Sequence, residues 1–204
     1  MKRIFIDPGH GDQGGDFGAI AKDKTREADI VLEIARIAKE YLKEKGYEVY
    51  LSREKKISTY PIYSESLGDL PYRADRANYL KADLFISIHC NAASSSEANG
   101  TEIFYTSSSG QKLAKDILNE VLYLQKLKKK RYTADKNKVN LWSFLNRGVK
   151  QGSFYVLNNT DMPAILIETL FLSNSEDLEL LKSREFQCFY AFAIANGIEK
   201  YLGK

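Results

Sequence analysis

Short apolar runs of strand length alternate along this chain with stretches of helical periodicity, and that alternation limits the fold more than any other feature. Residues 4–6, 47–51, 83–89, 101–105, 154–157 and 164–168 read as strands. A helix of about twenty residues follows Thr25, its expected N-cap, with Val31, Ile34, Ala35, Ala38, Tyr41 and Leu42 as its apolar stripe and Gly46 as its stop. Residues 72–80 read as a second helix, and residues 111–127 as a third with Leu113, Ile117, Val121 and Leu124 on one face. Asn174, Ser175, Glu176 and Asp177 resemble a capping box, opening a short helix before a terminal one marked by Phe186, Phe189, Ala193 and Tyr201. Strands that alternate with helices build a largely parallel sheet covered on both faces. The fold class is therefore α/β: a three-layer α/β/α sandwich around a largely parallel mixed sheet of about six strands. No internal repeat or linker composition interrupts the chain, and 204 residues suit one domain spanning 1–204.

The chain has only two histidines, and each closes a strand-like run beside small residues: His10 in IFIDPGHG and His89 in LFISIHCN. The carboxyl ends of strands are where open α/β sheets bind ligands, so both imidazoles are placed to converge there. Either one alone is also explained as a hydrogen-bonded structural residue. The first strand runs into a segment with five glycines among residues 9–18, a loop whose backbone can approach a ligand closely. Glu27 follows in the first turn of the next helix, where a carboxylate also opposes the positive end of the helix dipole. Glu168 ends the buried run AILI, a costly place for a charge unless it is paired or near a metal. A structural salt bridge is its plainer use. Taken together, two histidines and one carboxylate match the three protein ligands of a catalytic zinc, with a fourth position left for water. Glu168 then fits the general base that takes the proton of that water.

Net charge is only +3, too little to suggest a polyanion partner, and the basic run at Lys126, Lys128, Lys129, Lys130 and Arg131 belongs to no nucleic-acid-binding module. Cys90 and Cys188 form no CxxC pair, which speaks against a thiolate zinc site. Cys90 lies next to His89, but strand alternation turns it to the opposite face and favours a buried structural thiol. The N-terminus lacks the apolar core of a signal peptide, and no stretch approaches a membrane span, so the expected export route is unknown.

The strings IFIDPGHGDQGGDFGA, KTREADIVLEIA, ADLFISIHCNAA, RGVKQGSFYVL and MPAILIETLFLSN resemble, in order and spacing, the zinc-dependent N-acetylmuramoyl-L-alanine amidases of the amidase-3 type. The resemblance covers nearly the whole chain. It implies one zinc ion per chain with His10, Glu27 and His89 as ligands and Glu168 as the catalytic glutamate. The implied reaction is hydrolysis of the amide between the lactyl group of N-acetylmuramic acid and L-alanine, with peptidoglycan as the partner and the cell wall as the place of action. It does not separate a cellular autolysin from a phage lysin. A zinc peptidase cutting within the stem peptide, or a catalytically silent wall-binding domain, are the competing readings. Asn91 is placed to orient a ligand or touch substrate, and Arg53 matches an arginine often seen in the family, though a structural ion pair explains it equally. The segment between Leu118 and Gly148 is longer than in minimal members of the family, and residues 126–146 lie within it. They read either as a solvated helix end followed by packed aromatics, or as a cover over the zinc involving Leu141, Trp142, Phe144 and Leu145, as in some cell-division amidases.

Overall fold

A computed structural model describes residues 1–11, 16–56, 68–133 and 143–204. Among them, β1 (Arg3–Pro8), β2 (Glu48–Leu51), β3 (Leu84–Asn91), β4 (Thr101–Tyr105), β5 (Asn146–Gln151) and β6 (Ala164–Phe171) form one sheet in the order β2-β1-β3-β6-β4-β5. Neighbouring strands run parallel except β4 and β6, which are antiparallel. The helices are α1 (Glu27–Glu44), α2 (Leu70–Tyr79), α3 (Ser108–Thr133), α4 (Tyr155–Asn158), α5 (Ser175–Lys182) and α6 (Arg184–Tyr201).

Strand side chains alternate between faces, and the two faces receive different layers. Ile4, Ile6, Ile86, Ile88, Ile165 and Ile167 meet Val31, Ile34, Ala35 and Ala38 of α1, Ile117 and Val121 of α3, and Phe186, Tyr190 and Ile194 of α6. The intervening residues Phe5, Phe85 and Leu166 face the other way, under Ala77 of α2 and Val156 and Leu157 of α4. Each fully buried side chain of this size contributes about 1.5–3 kcal/mol. The α/β/α layering expected from the sequence is thus present, with one thick and one thin helical layer.

The crossover from β1 through α1 leads to β2 on one side of β1, while the crossover from β2 through α2 leads to β3 on the other. The two helices accordingly pack on opposite faces, and a crevice opens where the connections diverge, at the carboxyl ends of β1 and β3. Those are the ends that carry His10 and His89.

Several local expectations are corrected. Residues 154–157 are not a strand: Leu157 and Asn158 donate their N–H groups to Phe154 O, and Tyr155–Asn158 is a helical turn. Val156 and Leu157 are both buried under the same face, which a strand would forbid because its adjacent side chains diverge. The ladder position beside β4 belongs instead to the polar edge strand β5. Thr25 is not the cap of α1; Arg26 holds that position without a side-chain cap bond. Helix α3 continues past residue 127 to Thr133, so the basic run lies on helical backbone. Phe144 then packs edge-on to Phe186, as the packed-aromatic reading requires, whereas Leu145 is exposed; Leu141 and Trp142 lie outside the described residues. Asn174 does cap α5, accepting from Glu176 and Asp177 N–H, but the reciprocal half of a capping box is absent. Asp177 Oδ2 turns inward and accepts from Gly100 and Phe171 N–H.

Candidate metal centre

At the carboxyl end of β1 the chain enters its glycine-rich turn, and two glycines leave room for the side chains that converge there. A Cβ on Gly9 would lie 2.2 Å from Cε1 of His89, and one on Gly18 would lie 2.5 Å from Oε2 of Glu27 and 2.6 Å from Cδ2 of His10. His10 itself is left-handed, with φ +60°. That conformation costs roughly 1–2 kcal/mol for a residue with a Cβ. Its flanking carbonyls are held in place: Arg53 Nε donates to Pro8 O (3.2 Å) and Arg53 Nη2 to Gly9 O (2.9 Å), while Arg73 Nη2 donates to His10 O (3.1 Å).

Glu27 opens α1 and is almost fully buried between the two imidazoles. Its Oε1 lies 3.3 Å from Nε2 of His10 and 3.0 Å from Nδ1 of His89, and accepts the Cys90 N–H at 3.0 Å. Its Oε2 accepts the Ala19 N–H at 2.9 Å. One potential ligand atom from each of His10, Glu27 and His89 lies within 4.8 Å of the others. Asp16, which sequence reasoning did not single out, meets Nδ1 of His10 at 2.7 Å and leaves Nε2 directed at Glu27. This is the donor set of a zinc site, two nitrogens and an oxygen, with an outer carboxylate orienting one imidazole. The group therefore fits such an ion. Burial opposes charge on His10, yet its contacts with Asp16 and Glu27 push it up to about 10. Burial likewise opposes charge on Glu27, but the two imidazoles hold its carboxyl well below the usual carboxylate range.

Glu168 sits one strand away. In the ladder it pairs with His89 of β3 on one side and Glu102 of β4 on the other, so the three side chains share a face. Its Oε2 is buried without a hydrogen-bond partner among the described residues. Burial, followed by the negative charges of Glu27 and Glu102, pushes its carboxyl up to about 8. Glu102 is well compensated: Asn91 Nδ2 donates to it at 2.7 Å, Arg147 approaches to 3.3 Å, and Lys150 is ion-paired with it. Asn91 thus braces Glu102 beside the site.

Arg53 donates to backbone carbonyls, including Ala28 O at 2.7 Å and Lys55 O at 3.1 Å. Cys90 points into the apolar core on the far face, where burial raises its thiol well above the ordinary range. That environment suits a packed thiol and not a nucleophile. Behind the site, Arg73 and Asp7 form a buried ion pair at 3.4 Å, with Asp69 2.9 Å from Nε of Arg73 and the Ser87 hydroxyl 2.8 Å from Asp7. Burial works against the Asp7 charge, but the Arg73 guanidinium keeps its carboxyl below the ordinary value.

The model of the amidase-3 family, described as N-acetylmuramoyl-L-alanine amidase, matches residues 4–200. The chain is 32% identical over 230 residues to the N-acetylmuramoyl-L-alanine amidase AmiC of Escherichia coli, covering 97% of this chain and 52% of that protein. It is 34% identical over 198 residues to the amidase LytC of Bacillus subtilis, covering 97% of this chain and 35% of LytC. The chain therefore spans about half or less of the length of these relatives. Among solved structures, the catalytic domain of the amidase CwlV from Bacillus (Paenibacillus) polymyxa superposes with a TM-score of 0.82 at 31% identity, covering 99% of this chain and 98% of that domain.

Proposed function

The chain belongs to the N-acetylmuramoyl-L-alanine amidase family of the amidase-3 type, and from that premise we propose that residues 1–204 form one catalytic domain hydrolysing the amide between the lactyl group of N-acetylmuramic acid and L-alanine in peptidoglycan. His10, Glu27 and His89 hold one zinc ion, and Glu168 is the general base. The observation that carries this reading is the meeting of those three side chains at the β1/β3 crevice, with Glu168 next to His89 in the ladder.

When bound, zinc supplies Lewis acidity, which polarises the scissile carbonyl and makes water a nucleophile near neutral pH. The chain's own residues do the rest. Asp16 accepts from Nδ1 of His10 and so fixes the tautomer that presents Nε2. The Ala19 and Cys90 amides keep the Glu27 carboxylate in place. Glu168, whose Oε2 has no hydrogen-bond partner among the described residues, takes a proton from the attacking water as the water oxygen bonds to the lactyl carbonyl carbon. It returns that proton to the L-alanine nitrogen as the C–N bond breaks, leaving a lactyl carboxylate and a free amino terminus. Its raised proton affinity suits both directions of transfer.

This reading places the enzyme's action at the cell wall; no described helix is long and apolar enough to cross a membrane. Mass spectrometry of digested peptidoglycan tests the bond assignment. The expected product is an intact stem peptide beginning with a free L-alanine amino group, lost on chelation and restored by added zinc. Fragments cut within the stem would instead establish the peptidase reading, and wall binding without products would establish a silent binding domain.

A further inference from the structure

We infer that Arg53 and Arg73 are positioning residues that build the metal centre before any ion arrives, by gripping the consecutive carbonyls of Pro8, Gly9 and His10. The inference deepens the proposed function and rests on it for the identity of the ion. The two guanidiniums reach the turn from different elements, Arg53 from the residues after β2 and Arg73 from α2, and both are nearly inaccessible to solvent.

Their contacts divide the task. Arg53 takes the two carbonyls that precede His10, and its Nη2 also takes the carbonyl of Ala28, the residue next to Glu27. One planar group thereby ties the backbone that presents the first imidazole to the backbone that presents the carboxylate. Arg73 takes the carbonyl of His10 itself, while Asp7 and Asp69 hold the guanidinium in place. Because each peptide is planar, fixing the carbonyls on both sides of His10 fixes its φ and ψ, and with them the left-handed turn that aims its ring at Glu27. The third ligand, His89, extends from a central strand and receives its place from the sheet. Lysine would keep the charge at either arginine position but not the fork of donors that reaches several carbonyls at once.

The test measures zinc affinity by competition with a chromogenic chelator, on the intact chain and on Arg53→Lys, Arg73→Lys and Arg3→Lys, well below each melting temperature. Arg3 is the control because it also grips a carbonyl, Leu80 O at 3.1 Å, but at the opposite end of β1. The expected result is zinc binding weakened about tenfold or more in Arg53→Lys and Arg73→Lys, and unchanged in Arg3→Lys despite its lower melting temperature. Equal affinity in all four proteins overturns the inference alone; a wild-type chain without zinc affinity overturns both it and the proposed metal centre. If a lysine variant fails to fold, amide exchange in the metal-free wild-type chain decides. The Gly9 and Gly11 N–H groups, bonded to Ile88 O and Asp16 O, should already exchange slowly, and exchange at open-chain rates until zinc is added overturns preorganisation.

Discussion

Asp16 and Gly9 show how much of the centre depends on groups that ligate nothing. Replacing Asp16 by Asn leaves the size of the side chain but weakens the acceptor for Nδ1 of His10. Outer carboxylates of this kind are worth about 10–100-fold in metal affinity or activity, so Asp16→Asn should lose that much zinc affinity in a chelator competition while its melting temperature barely moves. Gly9→Ala drives a methyl into the His89 ring and should cost activity at least as heavily. Asp7, which helps hold Arg73, also bears on stability. Its carboxyl is held below the ordinary value in the folded chain, so its contribution is present above the unfolded aspartate pKa of about 4 and is lost as pH falls through the lower folded value. Asp7→Asn should cost about 3 kcal/mol at pH 7 by denaturant titration, with Asp69 still compensating Arg73, and the difference should shrink in acid. The meeting of His10, Glu27 and His89 was anticipated in the sequence because His10 follows β1 in a glycine-rich turn, Glu27 opens α1 and His89 lies near the end of β3; Glu168 was expected to end its strand, but β6 continues past it to Phe171. Asp7, Asp16, Glu102 and Arg73 were not singled out, and Arg53 was named without its carbonyl contacts, since their meaning lies in partners brought close only by the fold.

Helices α3 and α6 cross at Gly197, where an added Cβ would come within 2.4 Å of the Ile117 Cα. Backbone atoms cannot step aside as a side chain can. Gly197→Ala should therefore destabilise the chain by about 2 kcal/mol despite the better helix propensity of alanine, read as a lower melting temperature with unchanged kcat. Elements with strong periodicity, α1 and α6 among them, were legible from their stripes. Errors fell where periodicity is weakest. Four apolar residues at 154–157 support a strand or a helical turn equally well, and β5 is a polar edge strand with no buried face of its own to announce it. The start of α1 was misplaced by one residue because Thr25 is a good capping type, but the observed cap relies on backbone geometry at Arg26. Capping of α5 was legible, and Asn174→Ala should cost about 1 kcal/mol.

Across the whole molecule, the strand order itself makes the site. With β1 and β3 adjacent and their crossovers leaving on opposite faces, the first imidazole and the second are delivered to one crevice, and pairing of β3 with β6 brings Glu168 alongside. Alternation of strands and helices in the sequence was enough to imply a layered sheet, but not which strands are neighbours; the antiparallel insertion of β4 next to β6 has no local signature. The resulting claim is that three side chains bind the ion and a fourth, separate from them, moves the proton. Glu168→Gln tests it most directly, with zinc content and peptidoglycan products measured on the same preparation. The account predicts one zinc per chain, as in the wild type, and no detectable new L-alanine amino termini. Near-wild-type release of those termini, or a variant that has lost its zinc, would contradict it.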